Sequence, residues 1–258
     1  MRFSRWRGNR VISGTGQNIR SFLRNPRVHN KSILLASVAT SFISMTASAA
    51  VIAGWTITTA FPTGAGNVPT GVTYGVGAAD QGEFVAQTSL TSVHALAAAT
   101  YTSPSGNGSQ YAFSSNNWSI GDYYQASLST LGYSDISISW DQCRSSTGPA
   151  TFELVMSTDG GANFTTLLAS YAVLQSGGGG SPGTWSSTTY NSIYSLTQAV
   201  SGADNQASVI FRFRSLSAAG GATGSNRIDN VFINSTPVPA PGAIALLGLA
   251  GLIGRRRR

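Results

Sequence analysis

The stretch YSDISISWDQ, Tyr133 to Gln142, alternates apolar and polar residues with a period of two. Ile136, Ile138 and Trp140 fall on one face of an extended chain, and Ser137, Ser139 and Asp141 fall on the other. TFELVMS repeats the pattern with Phe152, Leu154 and Met156, and ASVIFRFRSL repeats it with Val209, Phe211 and Phe213 opposite Ile210, Arg212 and Arg214. Alternation with one polar face is what an antiparallel sheet packed on a single side requires, and no apolar pattern at helical spacing persists along the chain. SSTGPA, STDGGANF, QSGGGGSPG and SAAGGATGSN punctuate the apolar runs with residues suited to turns. The fold class predicted is all-β, an antiparallel β-sandwich of jelly-roll type. VIAGWTITT, NFTTLLASYAV, TWSSTTYNSIYSL and RIDNVFIN supply further expected strands. No fixed-period repeat is present, which excludes a propeller or a solenoid.

Charge divides the chain into three parts. The formal charge is +7, yet eight of the sixteen basic residues precede Ser32 and four close the chain as Arg255, Arg256, Arg257 and Arg258. Between Ala50 and Thr236 stand four arginines against nine carboxylates, a net charge of −5 that would repel a phosphate backbone. No nucleic-acid partner is therefore expected. NKSILLASVATSFISMTASAA sets an apolar core after a basic stretch and ends in small residues, the pattern of an export signal. Residues 1–49 are predicted to be a signal peptide with a long basic first region, in which Ala47 and Ala49 mark the signal peptidase site. Residues 50–236 form the expected extracellular domain. Cys143 is the sole cysteine, so no internal disulfide can form.

Residues 237–258 combine a proline pair, a short apolar run and the arginine cluster. The apolar part is short for a membrane span but near the lower limit when counted from Val238, and four arginines resist translocation, so a C-terminal transmembrane helix is expected to arrest there. The order of parts, Val238, Pro239, Ala240, Pro241, apolar helix, Arg255 to Arg258, resembles the bacterial PEP-CTERM sorting signal, with alanine in place of its glutamate. That resemblance implies a sorting protease of the exosortase type as partner and placement at the cell surface or in an extracellular matrix rich in exopolysaccharide. A permanent membrane anchor is the alternative.

Two further resemblances are local. STDGGANF is similar to a single Asp-box hairpin, in which Asp159 accepts hydrogen bonds from its own turn while Gly160 and Gly161 take positive φ. NRIDNVFIN resembles the closing strand of extracellular jelly-roll domains, including carbohydrate-binding modules. It implies a structural calcium held by Asp229 with Asp80 or Glu83 as oxygen partners. An aspartate accepting strand-edge hydrogen bonds is the other reading.

Catalytic chemistry finds little support. His94 is the only histidine after residue 29, no G-x-S-x-G elbow exists, and one His with one Cys cannot make a zinc site. The glycine run 177–180 lacks the lysine of a phosphate loop. A hairpin across SSTGPA would set Asp141 and Glu153 on one face at a glycosidase-like separation. Trp118, Tyr123, Tyr124, Trp185, Tyr190 and Tyr194 stand among amides and hydroxyls, the surroundings in which aromatic faces stack on sugar rings. Trp55 and Trp140 are expected in the core. The function predicted is an exported, non-catalytic protein that binds glycan or builds matrix, with a surface glycoside hydrolase as the alternative.

Overall fold

The structure, a computed structural model, describes residues 49–60 and 67–237. The predicted signal segment with Ala47, and the sorting segment with Val238, Pro239, Ala240, Pro241 and Arg255 to Arg258, lie outside the described residues. Ala49 is the first described residue and is exposed.

The strands are β1 (Ala50–Trp55), β2 (Asn67–Val68), β3 (Tyr74–Gly77), β4 (Ser89–Val93), β5 (Ala99–Thr102), β6 (Phe113–Asn116) and β7 (Tyr123–Leu128). They continue with β8 (Tyr133–Arg144), β9 (Thr151–Ser157), β10 (Thr165–Ala172), β11 (Leu174–Gln175), β12 (Ser195–Ala199), β13 (Val209–Ser215) and β14 (Ser225–Pro237). One sheet has the order β11-β8-β14-β6-β5-β2, with β1 added beside β14 and β12 beside β8. The other has the order β10-β9-β13-β7-β4-β3. Every pairing is antiparallel except the short contact of β11 with β8.

The molecule is an all-β sandwich, and the alternation seen in the sequence sets its faces. Ile136, Ile138 and Trp140 of β8 meet Phe152, Leu154, Phe211 and Phe213 of the opposing sheet in one apolar cluster. The Trp140 ring lies 5.1 Å from that of Phe213 and 5.3 Å from that of Tyr171. Such pairs add to what burial alone contributes. A short polar ladder crosses this interior: Trp140 Nε1 and the Tyr171 hydroxyl both donate to Gln142 Oε1, and Gln142 Nε2 donates to Asn226 Oδ1 at 2.9 Å. Gln142 thereby avoids the cost of burial without partners, whereas Asn226 Nδ2 is buried with no hydrogen-bond partner among the described residues. Trp55 is also in the core.

Two local expectations are corrected. β8 and β9 do not form a hairpin across SSTGPA, because after Arg144 the chain crosses from one sheet to the other. Asp141 and Glu153 therefore point out of opposite faces of the sandwich. Of TWSSTTYNSIYSL only Ser195 and Leu196 enter a strand, β12, and the preceding residues form a loop laid over the outer face of the first sheet.

Trp140→Ala would remove one of the largest side chains of the core between the two sheets. It is expected to lower stability by ~3–5 kcal/mol, measured as a fall in the urea midpoint at unchanged slope.

Candidate functional site

The outer face of the first sheet carries a polar knot centred on Asn107, which is fully buried. Its backbone N–H donates to Asp229 Oδ2 at 2.7 Å, and its backbone carbonyl accepts from Asn230 Nδ2 at 2.9 Å. Its side chain donates to Asp141 Oδ2 at 2.9 Å and to the Asn191 carbonyl at 3.0 Å, while its Oδ1 accepts from Asn191 N at 2.9 Å. One residue thus ties four pieces of chain together: its own loop, β8, β14 and the loop before β12. The two loops are joined again where Trp185 Nε1 donates to the Ser105 carbonyl and Gly108 N donates to the Ser186 carbonyl, both at 2.8 Å.

The glycines flanking Asn107 are required by this packing. A Cβ on Gly106 would stand 1.9 Å from Ser109 Oγ and 2.4 Å from Asp229 Oδ2, and Gly108, at φ +74°, would meet Tyr190. Asn230 adopts φ +46°, which breaks the register of β14 against β8 between Asp229 and Phe232. This bulge turns Asn230 Nδ2 onto Asp141 Oδ2 at 2.7 Å.

Beside the knot lies an open pocket of about 420 Å³ lined by Asn107, Asp141, Ser139, Thr197, Asn230, Phe232 and Tyr190, among others. Tyr190 is 57% exposed and its hydroxyl shares a hydrogen bond of 2.7 Å with Ser195 Oγ. Asp141 is not a free acid or base, since Ser195, Asn107 and Asn230 all donate to it.

Asp229 adjoins Asp141 across the β14–β8 pairing but does not line the pocket. Its Oδ2 accepts from Asn107 N and Ser109 Oγ, whereas its Oδ1 is buried with no hydrogen-bond partner among the described residues. Desolvation pushes its pKa up to about 7, against the pull of those hydrogen bonds and aided by the nearby Asp141. The calcium set does not assemble around it: Asp80 binds Thr56, and Glu83 accepts from the Tyr133 hydroxyl. Among the described residues, no three His, Cys, Asp or Glu side chains are grouped to hold a metal ion.

The six candidate aromatics separate into two groups. Trp118, Tyr124 and Tyr194 are at most 2% exposed, which corrects the expectation that they offer a ring to a sugar. Trp118 packs on His94, Tyr124 and Phe152, the Tyr124 hydroxyl donates to the Asn226 carbonyl, and the Tyr194 hydroxyl donates to the Gly183 carbonyl. Burying each ring together with a partner for its polar tip favours the interior over the surface. Trp185 and Tyr190 lie in the loop beside the pocket, with Tyr190 forming part of its wall. Tyr123 is on the other outer face, where the Arg212 guanidinium sits 3.9 Å from its ring centre and 4.2 Å from that of Phe164.

His94 proves more connected than its sequence context implied. Its Nε2 is 3.0 Å from Ser115 Oγ and its Nδ1 is 3.0 Å from Asp122 Oδ2, the latter a close contact that does not meet hydrogen-bond geometry. The order Ser, His, Asp matches a hydrolase triad, but all three residues are at most 2% exposed. Asp122 also accepts from Ala95 N and Ser119 N, so the trio braces one end of the sandwich. In the STDGGANF turn, Asp159 accepts from Ser157 Oγ and from Asn163 N and Nδ2, which holds its pKa well below the usual carboxylate range. Gly160 and Gly161 have φ of +74° and +94°.

No family model and no curated protein matches this chain. Among solved structures it is similar to the K1 cleaved adhesin domain of Lys-gingipain from Porphyromonas gingivalis W83, at 12% identity and a TM-score of 0.38, covering 72% of this chain and 98% of that one. It is also similar to a xylan-binding domain of carbohydrate-binding module family 22, at 13% identity, a TM-score of 0.33, and 65% and 96% coverage. A family 11 carbohydrate-binding module from Clostridium thermocellum, solved with a mixed-linked tetrasaccharide, gives 12% identity, a TM-score of 0.30, and 72% and 97% coverage.

The raised pKa of Asp229 has a thermodynamic consequence. An unfolded aspartate titrates near 3.9, so between about pH 4 and pH 7 the folded state binds more protons than the unfolded one, and stability falls as pH rises through that window. Below it both states are protonated and no penalty applies. Asp229→Asn keeps an acceptor for Asn107 and Ser109 without a charge. It is expected to raise the melting temperature at pH 8 by an amount worth on the order of a few kcal/mol and to leave it nearly unchanged at pH 4, as read by calorimetry.

Proposed function

We propose that this chain is an exported, non-catalytic protein of the cell surface or extracellular matrix, and that it binds glycan in the pocket beside Asn107. The observation that carries this reading is the make-up of that pocket. Its wall includes the half-exposed Tyr190 ring, and its floor presents the Asn230 side chain and the hydroxyls of Ser139 and Thr197 with Phe232, above the buried Asn107 that holds them in place. A sugar ring has one apolar face and a rim of hydroxyls, and an aromatic wall above a polar floor complements both.

The same geometry argues against hydrolysis. Asp141 and Glu153 lie on opposite faces; Asp141 is held by three donors, and Glu153 is paired with Arg214 at 2.6 Å. Two carboxyl groups that cannot flank one glycosidic bond cannot divide acid and base roles between them. The strands that shuttle between the sheets support a jelly-roll description. We further propose that residues 1–49 direct export through signal peptidase and that residues 237–258 act as a membrane-anchored sorting signal for an exosortase-type protease. The sequence pattern of those segments supports this part of the reading.

Affinity electrophoresis through gels containing polysaccharides of different classes tests the binding. At least one polysaccharide is expected to retard the protein, with Tyr190→Ala weakening that retardation about three- to tenfold, the scale of one aromatic stacking contact. Absence of retardation by any polysaccharide, or release of reducing sugar, would overturn the reading.

A further inference from the structure

A second pocket, of about 150 Å³, opens on the outer face of the first sheet and is lined by Thr100, Thr102, Ser114, Asn116, Ser225 and Arg227, among others. Strand register explains its composition. Thr102 pairs with Ser114, Ser114 with Arg227 and Arg227 with Cys143, while Asn116 pairs with Ser225 in the adjoining row. Period-two geometry sends Thr102, Ser114, Ser225 and Arg227 out of the same face, since Phe113, Tyr101 and Ile228 beside them point into the core. The result is one guanidinium set among hydroxyls.

Arg227 differs from the other arginines of the described residues. Arg144 donates to the Val173, Ser145 and Ser146 carbonyls; Arg212 donates to Gln125 between two aromatic rings; and Arg214 pairs with Glu153. Arg227 is half-buried, yet among the described residues it has no carboxylate, carbonyl or ring partner. Asp229, two residues along, directs its bonded oxygen to Asn107 and Ser109 instead. The hydroxyls of Thr102, Ser114 and Ser225 likewise hydrogen bond to nothing else described. A partly desolvated guanidinium without an acceptor lacks the paired, charge-assisted hydrogen bonds that its planar fork is shaped to make. A hollow of this size, offering a fork of N–H donors and free hydroxyls, matches a single small oxyanion.

We propose that Arg227, with Thr102, Ser114 and Ser225, forms an oxyanion-binding site that takes a sulfate or carboxylate group. It is separate from the Asn107 pocket and does not depend on that pocket's binding glycan. Either anion could come from an acidic polysaccharide or from a free salt; the recognising chemistry is the same.

The test is a ¹⁵N NMR titration of the full chain with sodium sulfate and, separately, sodium acetate, with sodium chloride holding ionic strength constant. Reading shifts residue by residue keeps the site distinct from the basic ends of the chain. Saturable shifts are expected at the Thr102, Ser114, Ser225 and Arg227 amides, and the stronger of the two salts tells a tetrahedral from a planar anion. Arg227→Gln is expected to weaken binding at least ~10-fold, whereas Arg214→Gln on the opposite sheet leaves it within about twofold. Ser114→Val, which removes a hydroxyl and narrows the pocket while keeping the arginine, provides an independent loss of binding. Shifts that stay linear with both salts, that appear elsewhere, or that persist in Arg227→Gln would overturn the proposal.

Discussion

The outer face of the first sheet depends on one amide. Asn107 uses its backbone N–H, its backbone carbonyl, its side-chain carbonyl and its side-chain amide at once, on partners from β8, β14 and the loop before β12. Both Asp141 and Asp229 would be expensive to bury without donors, and Asn107 supplies a donor to each. In return the two carboxylates hold the 103–112 loop down on the sheet. The pocket is the space left beside this knot, so its shape is a consequence of hydrogen bonding and not of apolar packing.

The two faces of the sandwich are built differently. The outer face of the second sheet is closed by its own side chains: Arg212 lies between Tyr123 and Phe164, and Arg214 is paired with Glu153. The first sheet instead leaves open hollows on either side of the loop carrying Asn107, with Pro104 lining one and Gly108 the other. One hollow is lined by a carboxylate, amides and rings, and the other by hydroxyls and an arginine. The open polar hollows on the first sheet thus contrast with the second sheet's outer face, which is occupied by contacts that hold the strands in register.

Strand character was legible where burial is one-sided. Ile136, Ile138 and Trp140 alternate with serines because only one face of β8 touches the core, and the same holds for Val209, Phe211 and Phe213. Pairing was not legible. The SSTGPA turn suits a hairpin as well as a crossing between sheets, and nothing local distinguishes them; the choice is made by which face each strand must bury. Asp141 sits on the polar side of its strand in the sequence, yet a loop folded over that side leaves it 2% exposed. Trp118 and Tyr124 stand among polar neighbours and still go inside, since their polar tips find backbone carbonyls there. Asn107 was missed altogether. Its one signal is the Gly106-Asn107-Gly108 triplet, in which glycines on both sides of an asparagine mark a backbone pressed close to other groups.

The most direct test is amide hydrogen exchange of Asn107→Ala beside the unaltered protein. The account predicts that residues 103–112 and 184–194 lose protection together, because one hub ties both to the sheet, while β7, β9 and β13 of the second sheet keep theirs. Unchanged protection in both loops, or a uniform loss across the two sheets, would contradict the claim that a single buried amide builds this face.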